Sequence, residues 1–69
     1  MAHQVAVRVR EAAQGLAAFP LQGRPGRILD TRELVVSRTP FTVAYRVADQ
    51  IVEIIAVIHQ AQQWPERFE

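Results

Sequence analysis

Cysteine and lysine are both absent from this chain of 69 residues. Without cysteine, no disulfide can staple the fold and no thiolate can hold a metal. That absence fits a reducing compartment. Without lysine, all eight basic residues are arginine. Arginine keeps its charge when partly buried and grips a carboxylate or phosphate through two parallel hydrogen bonds; a GC-rich coding sequence would produce the same bias. Long apolar runs are missing too, and those present are too short to span a bilayer. The start lacks the charged segment and apolar core of a secretory leader. These absences predict a soluble cytoplasmic protein with no membrane partner. Nor does either sign of charge dominate. Eight basic residues face seven acidic ones, for a net charge of +1, which argues against a general nucleic-acid coat protein with its strongly basic surface. A chain of this length supports one domain, and such a domain buries only about 60% of its unfolded surface.

Among the residues present, the hydrophobic period changes partway along the chain. Val5, Val9, Ala12, Ala13 and Leu16 recur at helical spacing, with Arg8, Glu11 and Gln14 on other faces, which predicts an amphipathic helix over 4–18. Gly15 costs that helix up to about 1 kcal/mol relative to alanine, and its place on the apolar side suggests close approach of another element. Phe19-Pro20 ends the helix, because the residue before proline avoids helical backbone. Residues 20–30 read as a loop, with Arg24 and Arg27 flanking the turn dipeptide Pro25-Gly26. From Thr31 the period is two. Residues 31–37, 41–47 and 51–58 read as strands, separated by turns at Arg38-Thr39-Pro40 and Ala48-Asp49-Gln50. Short connections make neighbouring strands antiparallel. The expected fold is therefore α+β, with one N-terminal helix packed on a three-stranded antiparallel sheet. The last strand is apolar on nearly both faces, which predicts a central or well-covered position, or an edge buried by something else. The polar tail, 59–69, holds Trp64 and Phe68 and reads as one helical turn docking an aromatic.

No strong catalytic motif is present: there is no nucleophile elbow, no paired-histidine zinc helix and no phosphate-binding glycine loop. Gly23-Arg24-Pro25-Gly26-Arg27 does not lie between a strand and a helix, so it is a poor phosphate cradle. His59 closes the last strand, where a histidine could serve as general acid or base, yet no acid lies close in sequence to orient it. Arg32 and Glu33 are strand neighbours and point to opposite faces. Arg46 is placed to pair with Glu33 or Glu53 across strands. Tyr45 shares the phase of Phe41, Val43 and Val47 and reads as a sheet-face residue. Trp64 suits either a partner anchor or a lid over the sheet end.

In order and spacing, several of these segments carry a family likeness. Gly23-Arg24-Pro25-Gly26-Arg27 is followed by Thr31-Arg32-Glu33-Leu34-Val35-Val36, then by Phe41-Thr42-Val43-Ala44-Tyr45-Arg46-Val47. Val52-Glu53-Ile54, Val57-Ile58-His59 and Gln60-Ala61-Gln62-Gln63-Trp64-Pro65 complete the set. Together they resemble the RelE/ParE superfamily of type II toxin–antitoxin toxins, in its ParE-like branch. The resemblance implies a RelE/ParE-like domain over 1–69. The family's first strand and first helix have no counterpart, so the domain reads as shortened at its N-terminus. That shortening leaves edges and apolar surface for another copy to cover, which predicts a homo-oligomer. It also implies a cognate antitoxin that wraps a segment over the toxin. Two activities occur in the family: ParE-like members bind and poison DNA gyrase, and RelE-like members cut messenger RNA on the ribosome. The nuclease branch often places an arginine three positions before the strand tyrosine, where this chain has Thr42. The branch it resembles is thus a binding toxin, with Arg24, Arg27, Arg32 and Trp64 as partner-binding residues and neither metal nor cofactor required. The alternatives are a metal-independent ribonuclease using His59, Arg46 and Arg32, or an inactive shortened toxin that only binds antitoxin.

Overall fold

A computed structural model describes residues 2–64 of the chain. The helical period becomes α1, Ala2–Ala18, which starts slightly ahead of the expected boundary. The Phe19 amide donates to the Gly15 carbonyl at 3.0 Å, and Pro20, which has no N–H, stops the ladder. Gly15 serves no close approach. A methyl group there would meet only the Gln22 amide nitrogen, at 3.7 Å, so the expected tight packing at this position does not occur.

The period-two region forms one antiparallel sheet of β1 (Arg24–Pro25), β2 (Arg32–Val35), β3 (Phe41–Ala48) and β4 (Ile51–His59), in that spatial order. The expected three strands are therefore four. The additional strand lies within residues 20–30, where proline and glycine suggested only loop. Arg24 sits opposite Glu33, and Pro25 opposite Arg32. Proline is tolerated because β1 is an edge strand, where a missing N–H need not break the ladder. The return from Gly26 to Thr31 closes on itself. The Gly26 amide donates to the Thr31 carbonyl at 2.7 Å, and the Thr31 amide and hydroxyl both donate to the Ile28 carbonyl, at 3.1 and 2.6 Å. Asp49 and Gln50 join β3 to β4 with φ of 52° and 67°. A two-residue hairpin turn that follows the strand twist needs this pair of left-handed residues.

A bulge interrupts the almost unbroken apolar run of β4. Val43 pairs with Val57 and Ala44 with Ala56, but Tyr45 pairs with Ile54, which leaves Ile55 as the extra residue. One inserted residue exchanges the two faces of a strand. Val57 and His59 before the slip, and Ile54 and Val52 after it, thus share the face of Phe41, Val43, Tyr45 and Val47. Ile51, Ala56 and Ile58 fall on the far face with Glu53, so the strand is apolar on both sides in its true register as well. β4 is not central. It is the edge opposite β1, and Ile51, Ile54 and Val57 are 67%, 42% and 42% exposed. Among the described residues, nothing pairs with its outer side.

Helix α1 packs on β3 and β4. The core between them is Leu16, Val36, Val43 and Tyr45, edged by Val9, Ala12, Leu34, Val47 and Val52. Burying one such aliphatic side chain is worth about 1.5–3 kcal/mol. Tyr45, fully buried, uses its hydroxyl to tie the segment after the helix to the sheet. The hydroxyl accepts from the Gly23 amide at 3.0 Å and donates to the Pro20 carbonyl at 2.8 Å. Gly23 must be glycine, because a Cβ there would lie 2.6 Å from that hydroxyl and 2.8 Å from the Glu33 carbonyl oxygen. Beyond β4, the Gln60 amide donates to the Pro40 carbonyl at 2.7 Å and the Gln62 amide to the His59 carbonyl at 2.8 Å. Phe68 lies outside the described residues. Tyr45→Phe strands the Gly23 amide and the Pro20 carbonyl, and should lower stability by about 1–3 kcal/mol in urea unfolding. An unchanged midpoint would remove the hydroxyl from the account of the fold.

Candidate functional site

Strand alternation decides which side of the sheet each charged residue reaches. Arg32 lies opposite Tyr45 on the helix side, and Glu33 lies opposite Ala44 on the far side, so the two face apart as their spacing predicts. The Arg32 guanidinium is directed at backbone, with Nη1 donating to the Gly23 carbonyl at 2.6 Å and to that of Leu21 at 3.5 Å.

On the far face Glu33 is almost completely buried. Arg24, its partner across β1, donates from Nη2 to Glu33 Oε1 at 3.1 Å. The backbone N–H of Arg27 donates to Oε2 at 2.7 Å, and Arg27 Nε donates to the same oxygen at 3.2 Å. Both arginine side chains remain about half exposed. The guanidinium carbon of Arg27 lies 3.8 Å from the centroid of the Trp64 ring, a cation–π stack. The resulting cleft, about 450 Å³, is walled by Arg24, Arg27, Thr42, Ile58, Gln62 and Trp64, among others. Two cations share one anion at its rim. Burial alone would raise the Glu33 pKa; the Arg27 amide and the Arg24 and Arg27 guanidiniums outweigh it and hold the carboxyl below its ordinary 4.5.

Of the residues singled out in the sequence, three converge here: Arg24, Arg27 and Trp64. The others do not. His59 pairs with Phe41 at the opposite end of β3 from Arg46, and its ring meets that of Phe41 edge-on at 5.1 Å. Its Nδ1 accepts from the Ala61 amide at 3.0 Å. Arg46 faces Glu53 at 3.6 Å in a partly exposed pair, the second of its two expected partners. At about 3.3 Å per strand residue, Arg32 and Arg46 stand roughly 13 and 16 Å along the sheet from His59. Among the described residues, no group of three or more His, Asp or Glu side chains is placed to hold a metal ion. No helix there is long and apolar enough to cross a membrane.

Glu33 is the site residue that sequence reasoning missed. Its sequence context offers only Arg32, which points to the opposite face, and Arg46 across the strands, since its role depends on a strand hidden in the Pro-Gly segment. The signal available was the spacing of Arg24 and Arg27 ahead of a strand acid, which becomes informative once β1 is known to fold back on β2.

The family described as the ParE toxin of the type II toxin–antitoxin system, parDE, matches residues 1–64. The chain belongs to the ParE toxin family. Y4kP of Sinorhizobium fredii, named provisionally as a toxin, is 46% identical over 65 residues, covering 94% of this chain and 67% of its own length. Toxin RelE2 of Caulobacter vibrioides is 39% identical over 61 residues, covering 88% of this chain and 67% of its own. The matched region is thus about two thirds of each relative's length. No solved structure matches the chain significantly. Both relatives carry toxin names, and a type II toxin of the ParE family implies an antitoxin as its partner.

In this ParE-family chain the buried carboxylate links stability to pH. A carboxyl held below its unfolded-state value contributes stability that is complete above 4.5. That contribution declines as the pH falls below 4.5 and is gone once the pH drops under the folded-state value. Urea unfolding across the acid range should show this loss, and Glu33→Gln should flatten it while lowering stability at neutral pH. An equal slope in both proteins would exclude Glu33 as the titrating group.

Proposed function

We propose that this chain is a binding toxin of the ParE-like kind: it acts on DNA gyrase in the cytoplasm and is neutralised by its cognate antitoxin. The observation that carries this reading is the separation of His59 from Arg32 and Arg46. Metal-free RNA cleavage needs positive charge at the scissile phosphate beside a group that moves protons. Here the histidine and the arginines lie at different ends of the sheet, and Arg32 is directed at backbone carbonyls. Thr42 occupies the position where the nuclease branch often has arginine. A binding toxin needs only a surface, and Arg24, Arg27 and Trp64 form one. The ribosome-dependent nuclease remains the competing reading, since one relative carries a RelE name.

Two assays on one preparation separate them. Inhibition of gyrase supercoiling, with messenger RNA left intact on programmed ribosomes, is the expected result. A combined His59→Ala and Arg46→Ala variant should keep its toxicity in a growth assay. RNA cut while gyrase is unaffected would reverse the choice of branch, and silence in both assays would leave a chain that only binds antitoxin.

We further propose that the open side of β4 is covered by a second copy. An edge strand of nine residues with exposed Ile51, Ile54 and Val57 has Glu53 as its one charged residue, so it has little of the protection that natural edges carry. It borders an apolar groove lined by Val5, Ala6, Val9, Phe41 and Val57. Light scattering at micromolar concentration should give a dimer or larger species, and Val57→Lys should shift it toward monomer. A monomeric parent chain would refute this assembly.

A further inference from the structure

We infer that the cleft of Arg24, Arg27 and Trp64 is a docking site for an extended acidic peptide whose alternate side chains are aliphatic, and that this is where the antitoxin's chain is gripped. The inference rests on the toxin–antitoxin reading only for the identity of the peptide's owner. The cleft's chemistry stands on its own.

Glu33 is nine-tenths buried or more and aims both carboxylate oxygens at the two guanidiniums. It therefore acts as an internal anchor, holding Arg24 and Arg27 side by side without neutralising both. Each arginine donates only part of its guanidinium to Glu33: Arg24 uses Nη2 and Arg27 uses Nε. A guanidinium carries five N–H donors in a rigid fork, so both retain donors for an incoming carboxylate. Arg27 is braced twice, by its own backbone bond to Glu33 and by the Trp64 ring. A braced fork loses little side-chain entropy when it binds. Part of the lining is apolar. Val35 and Ile58, on the same face of the sheet, line the cleft too, which gives aliphatic side chains a place to bury area between the charged contacts.

These features favour a peptide over a nucleic acid. A groove that tracks a phosphate backbone uses a row of cations and open aromatic faces for the bases. This cleft carries a single surplus positive charge and has a buried carboxylate beneath it. A guanidinium already lies on the Trp64 ring, where a base would stack. The chain as a whole carries only +1.

Trp64 is the only tryptophan in the sequence, so its fluorescence reports on this cleft directly. The full chain would be titrated with a short synthetic peptide of alternating leucine and glutamate. The controls are a leucine–glutamine peptide of equal length and a short single-stranded RNA. The leucine–glutamate peptide should produce a saturable change in emission that weakens with added salt. Arg24→Gln and Arg27→Gln should each weaken it by roughly tenfold under conditions where circular dichroism shows the variant folded, and Arg24→Lys should restore part of the loss. The salt dependence and the leucine–glutamine control use the unaltered chain, so they decide the matter even if a variant fails to fold. Equal binding of the two peptides, tighter binding of RNA, indifference to the arginine substitutions or no emission change would each overturn the inference. Neither gyrase nor ribosome takes part in the titration, so it and the supercoiling assay can fail independently.

Discussion

Burial of the Glu33 carboxylate under two guanidiniums is the constraint on which the far side of this sheet depends. A charged group taken out of water needs partners that satisfy its oxygens, and here they come from sequence positions ahead of it. Arg24 must lie across the ladder from Glu33, and the backbone of Arg27 must turn back to donate its N–H. These demands convert a segment rich in proline and glycine into an ordered edge strand and a closed return. On the helix side, the Tyr45 hydroxyl holds the start of the same segment at Pro20 and Gly23. The connection between helix and sheet is thus pinned on both faces by one polar group each.

The opposite edge follows a different logic. Ile55 is inserted between two correctly phased halves of β4, and the slip keeps Val52, Ile54 and Val57 on the side facing α1. Of that apolar row only Val52 packs against the core; Ile54 and Val57 stay part-exposed, on an edge that carries little charge. One side of the sheet therefore ends in a short strand, with proline on its rim and arginines nearby, and the other ends in a long apolar strand. Only the first resembles the protected edges of monomeric sheet proteins.

Family membership and geometry bear on different questions. Likeness over residues 1–64 places the chain among the ParE toxins. The arrangement of side chains bears on how such a chain acts. Arg24 and Arg27 meet a tryptophan in a cleft, and His59 packs edge-on against Phe41 with its Nδ1 bonded to backbone. That arrangement suits recognition of a partner's carboxylates better than proton transfer at a phosphodiester.

Much of this was legible along the chain. Helical spacing from Val5 to Leu16, the two tight turns and the phase of Phe41, Val43, Tyr45 and Val47 follow from local backbone preference and from which side chains avoid water, and both act over a few residues. So does the divergence of Arg32 from Glu33. The motifs between Gly23 and Pro65 suffice to suggest the superfamily. What only the tertiary structure decided was set by groups distant in sequence. The strand at Arg24–Pro25 exists because β2 lies beside it. β4 is an edge because the strand order ends there, and its apolar run conceals a bulge that becomes visible only against the register of β3. Arg24, Arg27 and Trp64 form one cleft because Glu33 gathers the arginines on the sheet's far face and the chain beyond β4 returns to cover them. Periodicity records which face a residue prefers; it carries no information on which other segment will share that face.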